Sequence, residues 1–156
     1  MKQVSVLLHD IRSTHNVGSI FRTSDALGVN KIYLSGITPE PTDKYGRARK
    51  DIAKVALGAE KTISWEYIDS PKDLIKKLKK NGFQVIALEQ TKKSLDYKNV
   101  KAKPPILFIV GNEIEGVDKG ILNLSDIVTE IPMIGKKESL NVSVAFGVAL
   151  FRILNI

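Results

Sequence analysis

Short apolar runs alternate with helix-like segments along the whole chain. Runs of the kind that form strands occur at residues 3–10, 31–36, 62–68, 83–89, 106–111 and 126–132. Segments with helical periodicity occur at residues 17–28, 51–58, 70–82 and about 139–154. The runs at 83–89 and 106–111 are continuously apolar, as expected of parallel strands covered on both faces. This order predicts one α/β domain, residues 1–156, with a mostly parallel sheet flanked by helices.

Local signals indicate where several of these helices begin and end. Ser70 stands at an N-cap position with Pro71 directly after it, which is a strong helix start. Asn16 is a possible cap for the first helix, and Gly28 and Gly58 are expected to stop the first and second helices. In a parallel sheet the loops at the carboxyl ends of the strands are where ligands bind, so the candidate chemistry is expected there.

The last predicted helix is apolar nearly all round, yet its first residues are polar. Ser139, Asn141 and Ser143 stand in its first turns. Buried polar groups need hydrogen-bond partners, so these residues either cap the helix or hold a ligand. For Ser139 the two roles are compatible.

Composition narrows the class of protein. Hydrophobic residues make up 43% of the chain and charged residues 26%, which is typical of a soluble globular protein. The chain has no cysteine, and His9 and His15 lack a spacing that puts both on one helix face, so we expect no metal. No apolar run approaches about 18 residues, and Met1 begins no signal-like segment. We therefore expect a cytoplasmic protein without a membrane partner.

The chain is basic, with a formal net charge of +7, a balance that commonly accompanies nucleic-acid binding. Cations concentrate in the segment at residues 44–54, whose candidates for RNA contact are Lys44, Arg47, Arg49 and Lys50. Tyr45 offers a stacking surface among them. The alternative is a solvated loop that leads into a helix. The lysines at residues 70–82 are expected only to solvate the outer face of their helix.

A glycine-rich segment follows the apolar run at 106–111. Gly111 and Gly116 flank it, but Val117 comes where a Walker loop needs lysine, so no phosphate is cradled in that way. The acids Glu113 and Glu115 would repel a polyphosphate. The segment therefore indicates either an uncharged or cationic ligand, or only a tight turn.

Three segments together carry a resemblance to a known family. Residues 15–29, 108–117 and 131–151 closely resemble, in order and spacing, the three signature motifs of the SpoU (TrmH) branch of the SPOUT methyltransferases. The resemblance implies methyl transfer from S-adenosylmethionine to a ribose 2′-hydroxyl in tRNA or rRNA. It also implies that the carboxyl-terminal third of the α/β domain forms a deep trefoil knot that holds the cofactor. Two alternatives are a non-catalytic RNA-binding protein with the same fold, and a small-molecule methyltransferase, which fits the basic segment poorly.

The resemblance also implies roles for particular residues. The cofactor would be bound by Leu88, Glu89, Gly111, Ile131, Met133 and Leu140. Gly111 would let its loop approach the cofactor closely. The catalytic candidates are Arg22, Asn16, Glu113, Ser139 and Asn141. Arginine is normally protonated, so we favour Arg22 as an electrostatic anchor, while proton abstraction by Arg22 stays open.

The last helix also predicts a homodimer. Its apolar side chains occupy more than one face: one face is formed by Leu140, Val144, Val148 and Phe151, and much of the rest by Val142, Phe146, Leu150 and Ile153. One side can pack on the sheet of its own chain, so the other is expected to meet a second chain. Small residues recur every four positions beside it, at Ser139, Ser143 and Gly147. The alternative is a central helix covered by loops of its own chain. The resemblance favours the dimer, because the family pairs through its knotted region, and it would place Arg22 close to the partner.

Overall fold

Parallel strands form the centre of the molecule. The computed structural model describes residues 3–156, so the first two residues of the predicted domain lie outside it. Within the described residues one sheet contains seven strands, β1 (Val4–His9), β2 (Lys31–Ser35), β3 (Ser64–Tyr67), β4 (Gln84–Leu88), β5 (Leu95–Asp96), β6 (Ile106–Val110) and β7 (Ile127–Glu130). Their order is β3-β2-β1-β6-β4-β7-β5, and every pairing is parallel. The predicted fold class is confirmed.

Helices cover both faces of this sheet. They are α1 (Thr14–Ala26), α2 (Lys50–Ala56), α3 (Ala59–Thr62), α4 (Pro71–Lys80), α5 (Lys119–Leu124) and α6 (Val142–Leu154), with a 3-10 helix at Tyr97–Asn99. Alternate side chains of a strand point to opposite faces, so Val6 and Leu8 pack with α1, α2, α3 and α6, whereas Leu7 packs with α4 and α5. Burial on both faces explains why the central strands are apolar without alternation.

Two helix starts differ from the sequence prediction. Ser13, and not Asn16, caps α1: its Oγ accepts a hydrogen bond from Asn16 N at 3.2 Å. The last helix begins at Val142 and not near Ser139, because Asn141 is its N-cap and accepts from Ser143 N at 2.9 Å. Ser139 is thus excluded as the cap of α6.

The helix predicted at residues 70–82 has the expected ends. Ser70 Oγ accepts from Asp73 N at 3.3 Å, and Pro71 is the first helical residue. Ile75 and Leu78 are buried, while the lysines of α4 lie on the exposed side. The short elements β5, α3, α5 and the 3-10 helix were not predicted, since segments of two to six residues are too short to show a clear period.

Parallel pairing places the carboxyl ends of all seven strands at one edge of the sheet. The loops after β1, β4, β6 and β7 meet there, and they include the parts of the three motif segments that lie nearest to the sheet. The implied trefoil knot stays a prediction. None of the helices within residues 3–156 has the length and apolar character needed to cross a membrane.

Candidate active site

A cavity of about 530 Å³ opens at the carboxyl edge of the sheet, between the loops after β4, β6 and β7 and the start of α6. Its volume lies within the usual range of about 300–1,000 Å³ for small-molecule sites. All the residues predicted to bind a cofactor line it: Leu88, Glu89, Gly111, Ile131, Met133 and Leu140. Three catalytic candidates, Glu113, Ser139 and Asn141, line it as well.

The walls of this cavity are apolar and acidic. Besides the apolar residues just named, Val110, Val142 and Ala145 face it. Its carboxylates are Glu89, Glu113, Glu115, Glu130 and Glu138, and among its described lining residues there is no lysine or arginine. Such a lining attracts a positively charged ligand and repels an anionic one. Residues 3–156 contain no group of three or more histidine, aspartate or glutamate residues that could hold a metal ion.

Two of the residues that line the cavity, Gly111 and Gly116, belong to a tightly closed loop. Asn112 and Gly116 exchange two backbone hydrogen bonds of 3.0 Å, and Gly116 has φ +73°. A Cβ at Gly116 would overlap the carboxylate of Glu89, and a Cβ at Gly111 would lie only 2.5 Å from the carbonyl oxygen of Gly116. A residue with a side chain at position 111 would therefore collide with the loop itself. This reason for glycine differs from the predicted one, which was a close approach of the loop to a ligand.

Glu89 holds the same loop from the side of β4. Its Oε2 accepts a hydrogen bond from Val117 N at 2.7 Å, and its Oε1 accepts from Gln90 N at 2.7 Å. One predicted cofactor residue thus has a structural role that is already visible: it fixes the loop after β6 against the end of β4.

Glu113 is held at the amino end of α1. Its Oε1 accepts from Ser13 N and Arg12 N, both at 3.1 Å, and from Asn16 Nδ2 at 3.1 Å. The amino end of a helix also carries a partial positive charge. Burial raises the pKa of the Glu113 carboxyl, but these hydrogen bonds outweigh burial and leave the pKa below its ordinary value.

Two asparagines extend this contact to α6. Asn16 is buried, and its Oδ1 accepts from Asn141 Nδ2 at 3.0 Å. The direction of each amide is fixed by its neighbours: the Glu113 carboxylate only accepts, and Asn141 Oδ1 has to face the amide of Ser143. Glu113, Asn16 and Asn141 therefore form one directed chain of hydrogen bonds between the three motif segments.

The remaining two catalytic candidates differ in position. Ser139 is exposed on the wall of the cavity, with no hydrogen bond from its hydroxyl to any described residue. Arg22 is exposed on α1 and does not line the cavity, and its guanidinium forms no hydrogen bond or ion pair within residues 3–156. A single chain thus brings four of the five candidates together and leaves Arg22 apart.

Beside Arg22 lies a shallow apolar surface between α1 and α6. It is formed by Ser19, Thr23, Ser143, Val144, Gly147, Val148 and Phe151. Val144 is 50% exposed and Val148 is 42% exposed, so the described part of the chain leaves this face of α6 uncovered. The opposite face, with Phe146 and Leu150, is fully buried.

Three of the predicted RNA contacts, Lys44, Arg47 and Arg49, lie in the loop that follows β2, and the fourth, Lys50, is the first residue of α2. Arg47 Nε pairs with Asp43 at 2.8 Å, and Arg49 pairs with Asp51 at 3.2 Å. Lys44 and Lys50 are exposed. These cations therefore stand at the same edge of the sheet as the cavity, since β2 runs parallel to β4 and β6.

Sequence reasoning missed two residues that shape the site. Ser13 caps α1, and its backbone N–H donates a hydrogen bond to Glu113. Its position shortly before a helical segment was the signal in the sequence that could have identified it. Gln90 Nε2 donates to Glu138 O at 2.9 Å and ties the loop before α6 to the end of β4. No local pattern in the sequence predicts a contact of this kind between distant loops.

The parallel sheet has an acidic cavity at its carboxyl edge that is linked to the first and last motif segments, and the fold is shared with solved SpoU-type methyltransferases. Residues 3–151 match the model of the SpoU rRNA Methylase family. The chain belongs to this family, which confirms the membership that the three motifs predict.

Individual relatives agree with this membership. The tRNA (guanosine(18)-2′-O)-methyltransferase of Aquifex aeolicus (strain VF5) is 34% identical over 150 residues, which are 96% of this chain and 68% of the relative. The solved TrmH/SpoU tRNA modifying enzyme of A. aeolicus matches with a TM-score of 0.86 at 32% identity, over 99% of this chain and 75% of that one. The AdoMet-bound rRNA methyltransferase of Sinorhizobium meliloti matches with a TM-score of 0.88 at 27% identity, and this chain spans 57% of its length.

The hydrogen bonds to the Glu113 carboxylate predict that the free energy of unfolding of the protein depends on pH. Because the folded-state pKa lies below the ordinary value of 4.5, the ionised carboxylate stabilises the fold above about pH 4.5, and this contribution is lost as the pH falls through the folded-state pKa. Glu113→Gln should lower the free energy of unfolding at pH 7 by about 1 kcal/mol, a modest value because the carboxylate is half-buried. Urea unfolding at a series of pH values measures the difference.

That difference between wild type and Glu113→Gln should shrink towards zero in acid. Glu115→Gln is the matched control, because Glu115 is exposed in the same loop and its carboxylate has no hydrogen bond within the described residues. A constant difference at all pH values, or an equal effect of Glu115→Gln, would contradict the assigned role.

Proposed function

We propose that this chain is an S-adenosylmethionine-dependent methyltransferase that methylates a ribose 2′-hydroxyl in tRNA or rRNA. The observation that carries the proposal is the acidic cavity tied by Glu113, Asn16 and Asn141 to all three motif segments. Membership in the SpoU family, with an A. aeolicus relative named as a tRNA 2′-O-methyltransferase, supports the same reaction.

The cavity fits S-adenosylmethionine in size and charge. This cofactor supplies a methyl group on a positively charged sulfonium, and it also carries an apolar adenine. Ile131, Met133 and Leu140 would pack against the adenine, and the carboxylates of the wall would offset the positive charge. The backbone hydrogen bonds between Asn112 and Gly116 would help to keep this part of the pocket in shape without the ligand.

The chain itself has to position the hydroxyl and let its proton leave. In the transfer a C–O bond forms and a C–S bond breaks, with the electron pair of the broken bond remaining on sulfur. Ser139, with its free hydroxyl on the wall, would orient the ribose hydroxyl. Glu113 is unsuited as the base because its lowered pKa and three donors make it a weak proton acceptor. Arg22 would lower the pKa of the ribose hydroxyl as an electrostatic anchor, so that water takes the proton.

Arg22 can serve this role if two chains pair through the apolar surface between α1 and α6. Ser19, Arg22 and Thr23 share one face of α1 by their spacing, and Ser19 and Thr23 line that surface. A second copy that covers Val144 and Val148 would therefore meet Arg22 at the edge of the interface. The proposed homodimer thus supplies the candidate that a single chain leaves apart.

The reaction is tested with labelled S-adenosylmethionine and with total tRNA and rRNA that lack modifications. We expect label in a 2′-O-methylated nucleoside, and Arg22→Ala should lower the rate by about 100-fold or more because the anchor for developing charge is lost. Calorimetry should show that the variant still binds S-adenosylmethionine.

Arg22→Lys is the matched control, and it should keep part of the rate because the positive charge remains. RNA binding without any transferred label would favour the non-catalytic RNA-binding protein. Full activity of Arg22→Ala would remove Arg22 from the mechanism.

The homodimer is tested at Val148. Val148→Glu places a charge in the centre of the apolar surface, so the protein should become monomeric at micromolar concentration and lose its activity. Light scattering gives the mass. Leu57→Glu, at an exposed apolar residue outside this surface, should leave the dimer intact. A wild-type monomer with full activity would rule out the proposal.

The basic loop is tested through the salt dependence of RNA binding. Replacing Arg47, Arg49 and Lys50 by glutamine should weaken binding and lower the slope of log K against log salt by about 0.7 for each lost phosphate contact. The control replaces Lys76, Lys77 and Lys80 by glutamine. This triple variant loses the same charge, but from the exposed face of α4. Equal slopes for the two triple variants would return the loop to a solvated surface segment.

A further inference from the structure

The loop after β2 is an ordered hairpin-like turn at residues 41–49. Thr42 and Ala48 form an isolated antiparallel bridge, and Asp43 N donates to Arg47 O at 2.8 Å. Arg49 N donates to Pro41 O at 2.9 Å and closes the base of the turn. The cations of this segment are thus carried on a defined backbone.

Asp43 organises the tip of this turn. One carboxylate oxygen accepts from Tyr45 N at 2.8 Å and Arg47 N at 3.0 Å, and the other accepts from Arg47 Nε at 2.8 Å. The Arg47 backbone amide lowers the pKa of this carboxyl, so Asp43 is ionised at neutral pH. Gly46, with φ +74°, completes the turn in a conformation that side chains disfavour.

This turn holds Tyr45 out in solvent with two cations over its ring. The side chain is 68% exposed, Lys44 Nζ lies 5.0 Å from the ring centroid, and Arg47 Cζ lies 4.9 Å from it. The hydroxyl of Tyr45 bonds to no described residue. The two cations differ in freedom, because Arg47 is also held by Asp43, whereas Lys44 has no other partner within residues 3–156.

The turn lies at the same edge of the sheet as the cavity. It follows β2, and the cavity lies at the ends of β6, β4 and β7; β1 is the single strand between β2 and β6, the nearest of these three, in the sheet order. Two strand spacings correspond to roughly 10 Å across the sheet. An RNA strand whose ribose enters the cavity would therefore need to extend only a short way along this edge to reach the loop that carries Tyr45.

We propose that Tyr45 is a stacking site for an unpaired RNA base beside the nucleotide that is methylated. This inference rests on the proposed function. Aromatic side chains stack on any base, because every base has a π-face, and neighbouring cations contact the flanking phosphates. Lys44 leaves the ring for a phosphate as the base arrives, while Arg47 stays in place through Asp43.

The experiment compares a short single-stranded RNA of mixed sequence with an abasic strand that has the same phosphates. Wild type should bind the intact strand about tenfold to a hundredfold more tightly. Tyr45→Leu should bind both strands with the affinity of the abasic strand and keep the wild-type salt slope, because no charge is removed. Tyr45→Phe should behave as wild type, since it keeps the ring.

The outcomes separate this inference from the proposed function. If Tyr45→Leu still prefers the intact strand as wild type does, the stacking site is overturned while RNA binding and methyl transfer stand. If wild type binds neither strand and methylates no RNA, both are overturned. Unchanged melting temperature and unchanged S-adenosylmethionine binding in Tyr45→Leu show that any loss of affinity arises at the ring.

Discussion

A carboxylate that is partly buried needs hydrogen-bond donors in place of water. The geometry of the site depends on the donors that bind the carboxylate of Glu113. Its donors are the first backbone amides around the start of α1 and the side chain of Asn16. The loop after β6 is thereby fixed against a helix that begins about a hundred residues earlier. Asn16 in turn accepts a hydrogen bond from Asn141, so the start of α6 is linked to the same carboxylate.

The carboxylates on the wall of the cavity have two roles. Glu89 and Glu113 are engaged with backbone amides, and Glu130 accepts from Ser94 Oγ at 2.7 Å. Glu115 and Glu138 are exposed, and no described residue binds their carboxylates. The inner carboxylates therefore build the pocket, while all five contribute to its negative field. Such a field favours a positively charged ligand.

Much of the fold could be predicted from the sequence because its signals are local. Continuous apolar runs indicated β4 and β6, and Ser70 with Pro71 marked the start of α4. The order of three motifs identified the family and the lining of the cavity. Asn16 and Ser139 were only possible helix caps in the sequence, and neither caps its helix, because tertiary contacts decide which of several neighbouring polar residues does so. Asn141 begins α6 while also bonding to Asn16, and Glu138 is held by Gln90 across the cavity mouth.

The order of strands in the sheet has a consequence for how the chain folds. β1 is an inner strand of the sheet, where Val6 pairs with Ile32 on one side and with Phe108 on the other. The second of these partners leaves the ribosome long after the first. Until then one edge of β1 exposes backbone N–H and C=O groups without hydrogen-bond partners. In this sheet those partners are in β6, a distant part of the same chain. Pairing of such remote segments slows folding, so this protein is expected to form its centre late, after most of its residues have been synthesised.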